Sequence, residues 1–404
     1  MTEPVGPLRT RTSPRALMDA HYAEAGRARE DGRPVAWLTG MAPVEPLRAM
    51  GVAVVYPENH AAMCAARGMS LKLCEVAEAQ GYSADLCSYA RCDIGSSISG
   101  QSPIGGLPRP DFVLSCSNFC HTVTKWYEAL ARSLGVPHIH IDTPFVGDAM
   151  EGSAVRYVVE QLKDLIIFLE TLLRKRFDHE RFREVVTLAD KAGLLWGETL
   201  RLGRTRPSPM TAFDGFTHMA PMVAMRGVQS TVEYYEALLT EMRGRVASGI
   251  AAMPGERRRL LWGNIPIWSN LKAIPALMAE YGACFVASEY ANSWAFRLDP
   301  ENPLESMAAA YSTVVANLSI GERGRIWTGL IRDYGIDGFV MHSNRSCRPG
   351  SLTQYELKRL VEDRTGIPGV LIDADMADPR SYSETQVNSR LHAFMQNFGP
   401  DSRS

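Results

Sequence analysis

Short apolar, β-rich runs alternate with longer amphipathic stretches along most of the chain. Pro34–Leu38, Val52–Tyr56, Asp111–Ser115 and His138–Asp142 read as strands, since short apolar runs closed by turn residues suit strands buried on both faces. Helical spacing places helices at about 15–30, at Val44–Met50 and at Thr122–Leu134. A second alternation begins near Arg257, with strands at Leu260–Gly263, Ala283–Ala287, Asp337–His342 and Gly369–Asp373. Its helices fall at Leu271–Tyr281, Tyr355–Thr365 and Ser383–Asn397, with Ser383 the expected N-cap of the last. Between the two alternations, residues 153–204 and Val232–Val246 are helical in spacing and almost free of strand signal.

Strands alternating with helices predict parallel sheets. The expected fold class is α/β: two Rossmann-like, doubly wound parallel-sheet domains joined by a helical segment. Its boundaries are an N-terminal helical arm (1–30), a first α/β domain (31–150), a helical connector (151–256) and a second α/β domain (257–404). Open α/β sheets bind ligands beyond the carboxyl ends of their strands. The segments that follow strands are therefore where chemistry is sought.

Composition narrows the function classes. The 404 residues are 46% hydrophobic and 22% charged, an ordinary globular balance. A net charge of −2 lacks the electrostatic footprint of a nucleic-acid binder. The richest apolar run, Leu165–Leu169, is far too short to cross a bilayer. The start, MTEPVGPLRTRTSPRALMDAHY, has no apolar segment of the secretory type, so a cytoplasmic location is expected, without membrane or nucleic-acid partners. In that compartment the eight cysteines, Cys64, Cys74, Cys87, Cys92, Cys116, Cys120, Cys284 and Cys347, are not a disulfide framework. Burial, metal binding and catalysis remain.

Motifs exclude several chemistries. There is no G-x-x-x-x-G-K-[ST] loop, no G-x-G-x-x-G after a strand, no H-E-x-x-H and no G-x-S-x-G. SGQSPIGGLP lacks the phosphate-loop lysine and reads as a plain loop. The cysteines are better placed. Cys116 and Cys120 follow the third strand, Cys347 lies just past the strand ending at His342, and Cys87 precedes a loop after a short helix. Thiols from both halves can converge on one cleft, which suits a soft metal or an iron–sulfur cluster. Zinc held by Cys87-x4-Cys92 and Cys116-x3-Cys120 is the rival, and spacing alone separates neither from simple burial.

VVYPENHAA (54–62), YSADLCSYARCDIG (82–95), LSCSNFCHTVTKWYE (114–128), RPSP (206–209), MHSNRSCRPGS (341–351) and GVLIDADMADPRSYSETQVNSRLHAF (369–394) resemble the 2-hydroxyacyl-CoA dehydratase / benzoyl-CoA reductase family. The blocks keep the family's order from about residue 30 to residue 396. The resemblance implies a 4Fe–4S cluster held by three cysteines, matched by Cys87, Cys120 and Cys347, with one iron left open. It implies pairing with a paralogous second subunit as a heterodimer, a separate ATP-hydrolysing iron–sulfur activator that delivers one electron, and an acyl-CoA substrate. A 2-hydroxyacyl thioester has a non-acidic β-proton; one added electron makes a ketyl radical anion that expels the hydroxyl, and proton loss with return of the electron gives the 2-enoyl-CoA.

Glu58 and His60 of Pro57-Glu-Asn-His60 match the dehydratase form of that segment, with Glu58 the candidate for proton transfer; without the resemblance they read as a surface turn. Dehydratases place a serine beside the open iron where this chain has Gly40, so Thr39 substitutes or the open iron's ligand is held differently. Cys116 is the remaining cysteine expected beside the site, and Arg206, Arg226 and Lys125 are candidates for the CoA phosphates. PENHAA, CSYAR and NRSCRP side with dehydratases; benzoyl-CoA ring reduction and a non-catalytic iron–sulfur accessory role are the alternatives.

Overall fold

The computed structural model describes residues 13–398. Its frame is a pair of four-stranded, all-parallel sheets. The first joins β1 (Val35–Leu38), β2 (Ala53–Val55), β3 (Phe112–Cys116) and β4 (His138–Ile141) in the order β2-β1-β3-β4. The second joins β5 (Arg258–Gly263), β6 (Ala283–Ser288), β7 (Gly338–Asn344) and β8 (Gly369–Ala374) in the order β6-β5-β7-β8. The two halves thus repeat one strand order, and every predicted strand is present with its ends moved by at most two residues. The α/β expectation stands.

Period-two alternation divides the first sheet's side chains between two cores. Ala36, Leu38, Val54, Phe112 and Leu114 face one way, onto Val158, Leu162, Leu165 and Leu169 of the helix Gly152–Leu173. Val35, Trp37, Val55 and Val113 face the other, onto Cys64, Leu73, Cys74, Cys92 and Tyr127. The strand-free middle of the sequence is helical as expected: Gly152–Leu173, His179–Arg201 and Gln229–Ala247. Trp196 of the second packs on Tyr235 of the third, ring centroids 5.4 Å apart. The expected polar helix near the N-terminus, Pro14–Arg27, buries Met18, His21, Tyr22 and Ala25 and so is packed into the body; residues 1–12 of that arm lie outside the described residues. Among the described residues, no helix is long and apolar enough to cross a membrane.

In each sheet the order reverses between two neighbouring strands, β1 with β3 and β5 with β7. Connections leave these neighbours toward opposite faces, which opens a crevice at their carboxyl ends. The two crevices are held together by polar contacts across the sheets. Ser346 Oγ accepts from the Ser88 N–H at 3.0 Å, Ser70 Oγ donates to the Ala377 carbonyl, and Arg91 pairs with Asp378 at 2.9 Å.

Candidate functional site

Cys87, Cys120 and Cys347 each occupy the residue just before a helix: Ser88–Ser99, His121–Leu134 and the short Arg348–Ser351. For Cys87 this corrects the sequence reading, which put a loop after it. All three thiols are free and half-buried, and all three line one cavity of about 460 Å³ between the sheets. Backbone N–H groups of the following turns, Ala90 for Cys87, Thr122 and Val123 for Cys120 and Gly350 for Cys347, approach the sulfurs. Such donors at helix starts favour negative charge on sulfur.

Burial opposes that charge. It pushes the Cys347 thiol up to about 12, helped by Cys120, and holds Cys87 well above the ordinary thiol range, helped by Cys347. Charge on one of these thiols thus weighs against charge on another, a cost that a bound cation would reverse. Among the described residues no three His, Cys, Asp or Glu side chains are close enough to hold a single metal ion. Thiols spread around one cavity fit a multi-iron cluster, which is larger than one ion. The zinc alternative is not assembled: Cys92 and Cys116 are fully buried on opposite sides of the first sheet.

Glu58 enters from the end of β2. Pro57 begins a helix, Pro57–Ala66, where a surface turn was the plain reading; proline suits a first helical position, whose N–H needs no partner. Glu58 lines the cavity, and its Oε1 accepts from the Gly40 N–H at 3.0 Å. The other oxygen meets Tyr127 Oη, which also lies 2.7 Å from the Leu38 carbonyl. Tyr127 has one proton for two oxygens. When it donates to Leu38, the second contact is completed only by a proton on Glu58. Burial raises Glu58 to about 7 against the Tyr127 and Gly40 hydrogen bonds, so the carboxyl holds or releases a proton near neutrality.

The other expected residues lie elsewhere. His60, two residues further and therefore on the opposite side of the helix from Glu58, is fully buried and does not line the cavity. Its Nε2 meets Ser102 Oγ at 2.9 Å and Cys64 Sγ at 3.5 Å, and its Nδ1 stands 3.5 Å from Asp93. Burial alone would lower it, but Asp93 and Cys64 raise it to about 9. Thr39 is buried without a hydrogen-bond partner for its hydroxyl and is absent from the cavity wall, whereas Gly40 is in it. Cys116 packs into the core away from the cavity. None of the cations proposed for CoA reaches the cavity: Arg226 is buried against Glu45 at 3.0 Å, Lys125 pairs with Glu128 at 2.8 Å, and Arg206 donates to the Gly335 carbonyl at 3.0 Å. Sequence reasoning missed Tyr127 and Asn264. Tyr127 follows Val123 at a spacing of one helical turn, a usable signal. Asn264, in the left-handed region at φ 75°, ties the Cys347 loop to β7 by donating to the Gly350 and His342 carbonyls.

Two like parallel sheets, with three cysteines and a half-buried carboxyl lining the cavity between them, define an α/β protein with one candidate site at the carboxyl ends of its strands. Residues 39–398 match the family described as 2-hydroxyglutaryl-CoA dehydratase, D-component, and the chain belongs to that family. It is 37% identical over 383 residues, 94% of each chain, to the (R)-2-hydroxyisocaproyl-CoA dehydratase alpha subunit of Clostridioides difficile. It is 37% identical over 366 residues, 90% of this chain and 89% of the relative, to the (R)-phenyllactyl-CoA dehydratase alpha subunit of Clostridium sporogenes. A benzoyl-CoA reductase subunit of Thauera aromatica is 32% identical over 359 residues, 84% of this chain and 83% of the relative.

Proposed function

We propose that this chain is the iron–sulfur alpha subunit of a 2-hydroxyacyl-CoA dehydratase, a lyase that removes water from an (R)-2-hydroxyacyl-CoA to give a 2-enoyl-CoA. The observation that carries the reading is the meeting of Cys87, Cys120, Cys347 and Glu58 on one cavity wall. The three cysteines would hold the cluster, whose open iron supplies one-electron and Lewis-acid chemistry when bound. Glu58 then serves as the proton carrier: it passes its proton to the departing hydroxyl or accepts the one lost from the β-carbon. Tyr127 and the Gly40 N–H fix its two oxygens, and the apolar wall keeps water from competing. The substrate passes through a ketyl radical after a separate ATP-hydrolysing activator delivers one electron, which returns at the end of the turnover. A paralogous second subunit completes the enzyme.

The test is anaerobic turnover with partner subunit, activator, ATP and reductant. Conversion of a 2-hydroxyacyl-CoA to its 2-enoyl-CoA is expected. Reduction of benzoyl-CoA to a cyclic diene, with no dehydration of any hydroxyacyl-CoA, would move the chain to the ring-reducing branch.

A further inference from the structure

The cavity runs along one helix. Glu58, Asn59, Ala62, Met63, Ala66 and Arg67 line it, while His60, Ala61, Cys64 and Ala65 turn into the core. The lining set recurs at helical spacing, so one face of Pro57–Ala66 walls the cavity from end to end. That wall starts at the half-buried Glu58 and runs out to the exposed Ala66. At about 1.5 Å of rise per residue, Glu58 and Arg67 stand about 13 Å apart along its axis.

The outer end is cationic. Arg67, half-buried, donates to Asp19 Oδ1 at 2.7 Å and to the Pro103 carbonyl at 2.8 Å. Arg15 lines the same end, its side chain 78% exposed and 3.8 Å from the other Asp19 oxygen. One carboxylate thus serves two guanidiniums, and the trio keeps one positive charge in excess. Deeper in, the buried Arg323 is matched by Glu289, whose two oxygens it holds at 3.1 and 3.0 Å. An anion attracted to this cavity therefore settles at its mouth. Beside Glu58, Asn59 Oδ1 accepts from Tyr22 Oη at 2.8 Å, which leaves the Asn59 amide N–H groups without a partner among the described residues.

Resting on the reading of the cleft as an acyl-CoA site, we propose that Arg67 and Arg15 hold the CoA phosphates and that the pantetheine arm lies along the helix face from Glu58 to Arg67. The arm spans about 15 Å from sulfur to pyrophosphate when extended, as the bond lengths of such a chain require, which matches that face. Guanidiniums suit phosphate oxygens through paired hydrogen bonds, and the Asn59 amide is the donor for a carbonyl of the arm. Calorimetric binding of butyryl-CoA and S-butyrylpantetheine to the anaerobically purified full chain separates the phosphates from the rest of the thioester. Butyryl-CoA should bind about 10²-fold more tightly. Arg67→Gln should lower that ratio by about 10-fold, and Arg15→Gln by about 3-fold, with S-butyrylpantetheine affinity unchanged in both. Because Arg15 is exposed, its variant keeps the test open should Arg67→Gln disturb folding. Equal affinities in the parent, an unchanged ratio in the folded variants, equal loss of both thioesters, or binding of neither would overturn the proposal. The expected ratios together with no dehydration of any 2-hydroxyacyl-CoA would keep the phosphate handle and remove the dehydratase reading; dehydration with unchanged ratios would do the reverse.

Discussion

Glu58 shows what a single residue's surroundings do to its chemistry. Glu58→Gln preserves size and most hydrogen bonding but removes the titrating group. Turnover should fall by about 10²-fold or more while the cluster's visible spectrum is kept; near-normal turnover would return Glu58 to a packing role. The same carboxyl has a stability signature. Its pKa is about 7 in the folded chain against 4.5 as a free group, so between those values folding takes up a proton. Stability should therefore fall as pH rises through that window, by about 3 kcal/mol at most, and stay level above it. Urea unfolding of the cluster-free protein checks this: Glu58→Gln should gain on the parent at pH 8 and lose that advantage near pH 4.5. Replacing Cys87, Cys120 or Cys347 by Ala should lower bound iron and acid-labile sulfide, while Cys64, Cys74 and Cys284 variants keep the metal and lose about 1–3 kcal/mol of packing. At this scale the sequence was only partly legible. The PENH segment drew attention to both Glu58 and His60, with Glu58 foremost, but read as a turn it could not say which faces the site; in the helix they fall on opposite sides, one lining the cavity and the other enclosed by Ser102, Cys64 and Asp93.

Elements were the most legible scale. The strands are short, apolar and bounded by turn residues, and the long helices carry clear stripes, so periodicity found both. It failed at Pro57–Ala66, where Glu58, Asn59 and His60 open a helix with polar residues. Periodicity also says nothing of how near two helices come. Ser70–Ala79 and Ser88–Ser99 touch closely enough that a Cβ on Gly95 would stand 1.8 Å from the Leu73 carbonyl oxygen. Gly95→Ala must push the helices apart, at about 1–3 kcal/mol. Because the second helix begins just after Cys87, iron content should drop along with the melting temperature. An unchanged melting temperature would show that the pair yields without cost.

Across the whole molecule, the relation between the sheets was the least legible feature, since contacts such as Arg91 with Asp378 join residues far apart in sequence. Arg91 is buried and shares its guanidinium between Glu78 and Asp378, with Arg380 completing the group. Arg91→Met leaves two carboxylates to one half-exposed cation and should cost about 2–4 kcal/mol, read by chemical denaturation. The cysteines span the same divide. Cys87 and Cys347 bracket most of the chain, so a group that ties them closes a very long loop. Loop-closure entropy grows only with the logarithm of length, and a tie of this span takes roughly 5 kcal/mol from the unfolded ensemble. Anaerobic removal of iron by a chelator should accordingly lower the calorimetric melting temperature by several degrees even if every strand and helix survives. On the proposed reading the cofactor is also a tether, and a cell short of iron would carry this protein as two sheets clasped only by protein contacts such as Arg91 with Asp378, Ser346 with Ser88 and Ser70 with Ala377.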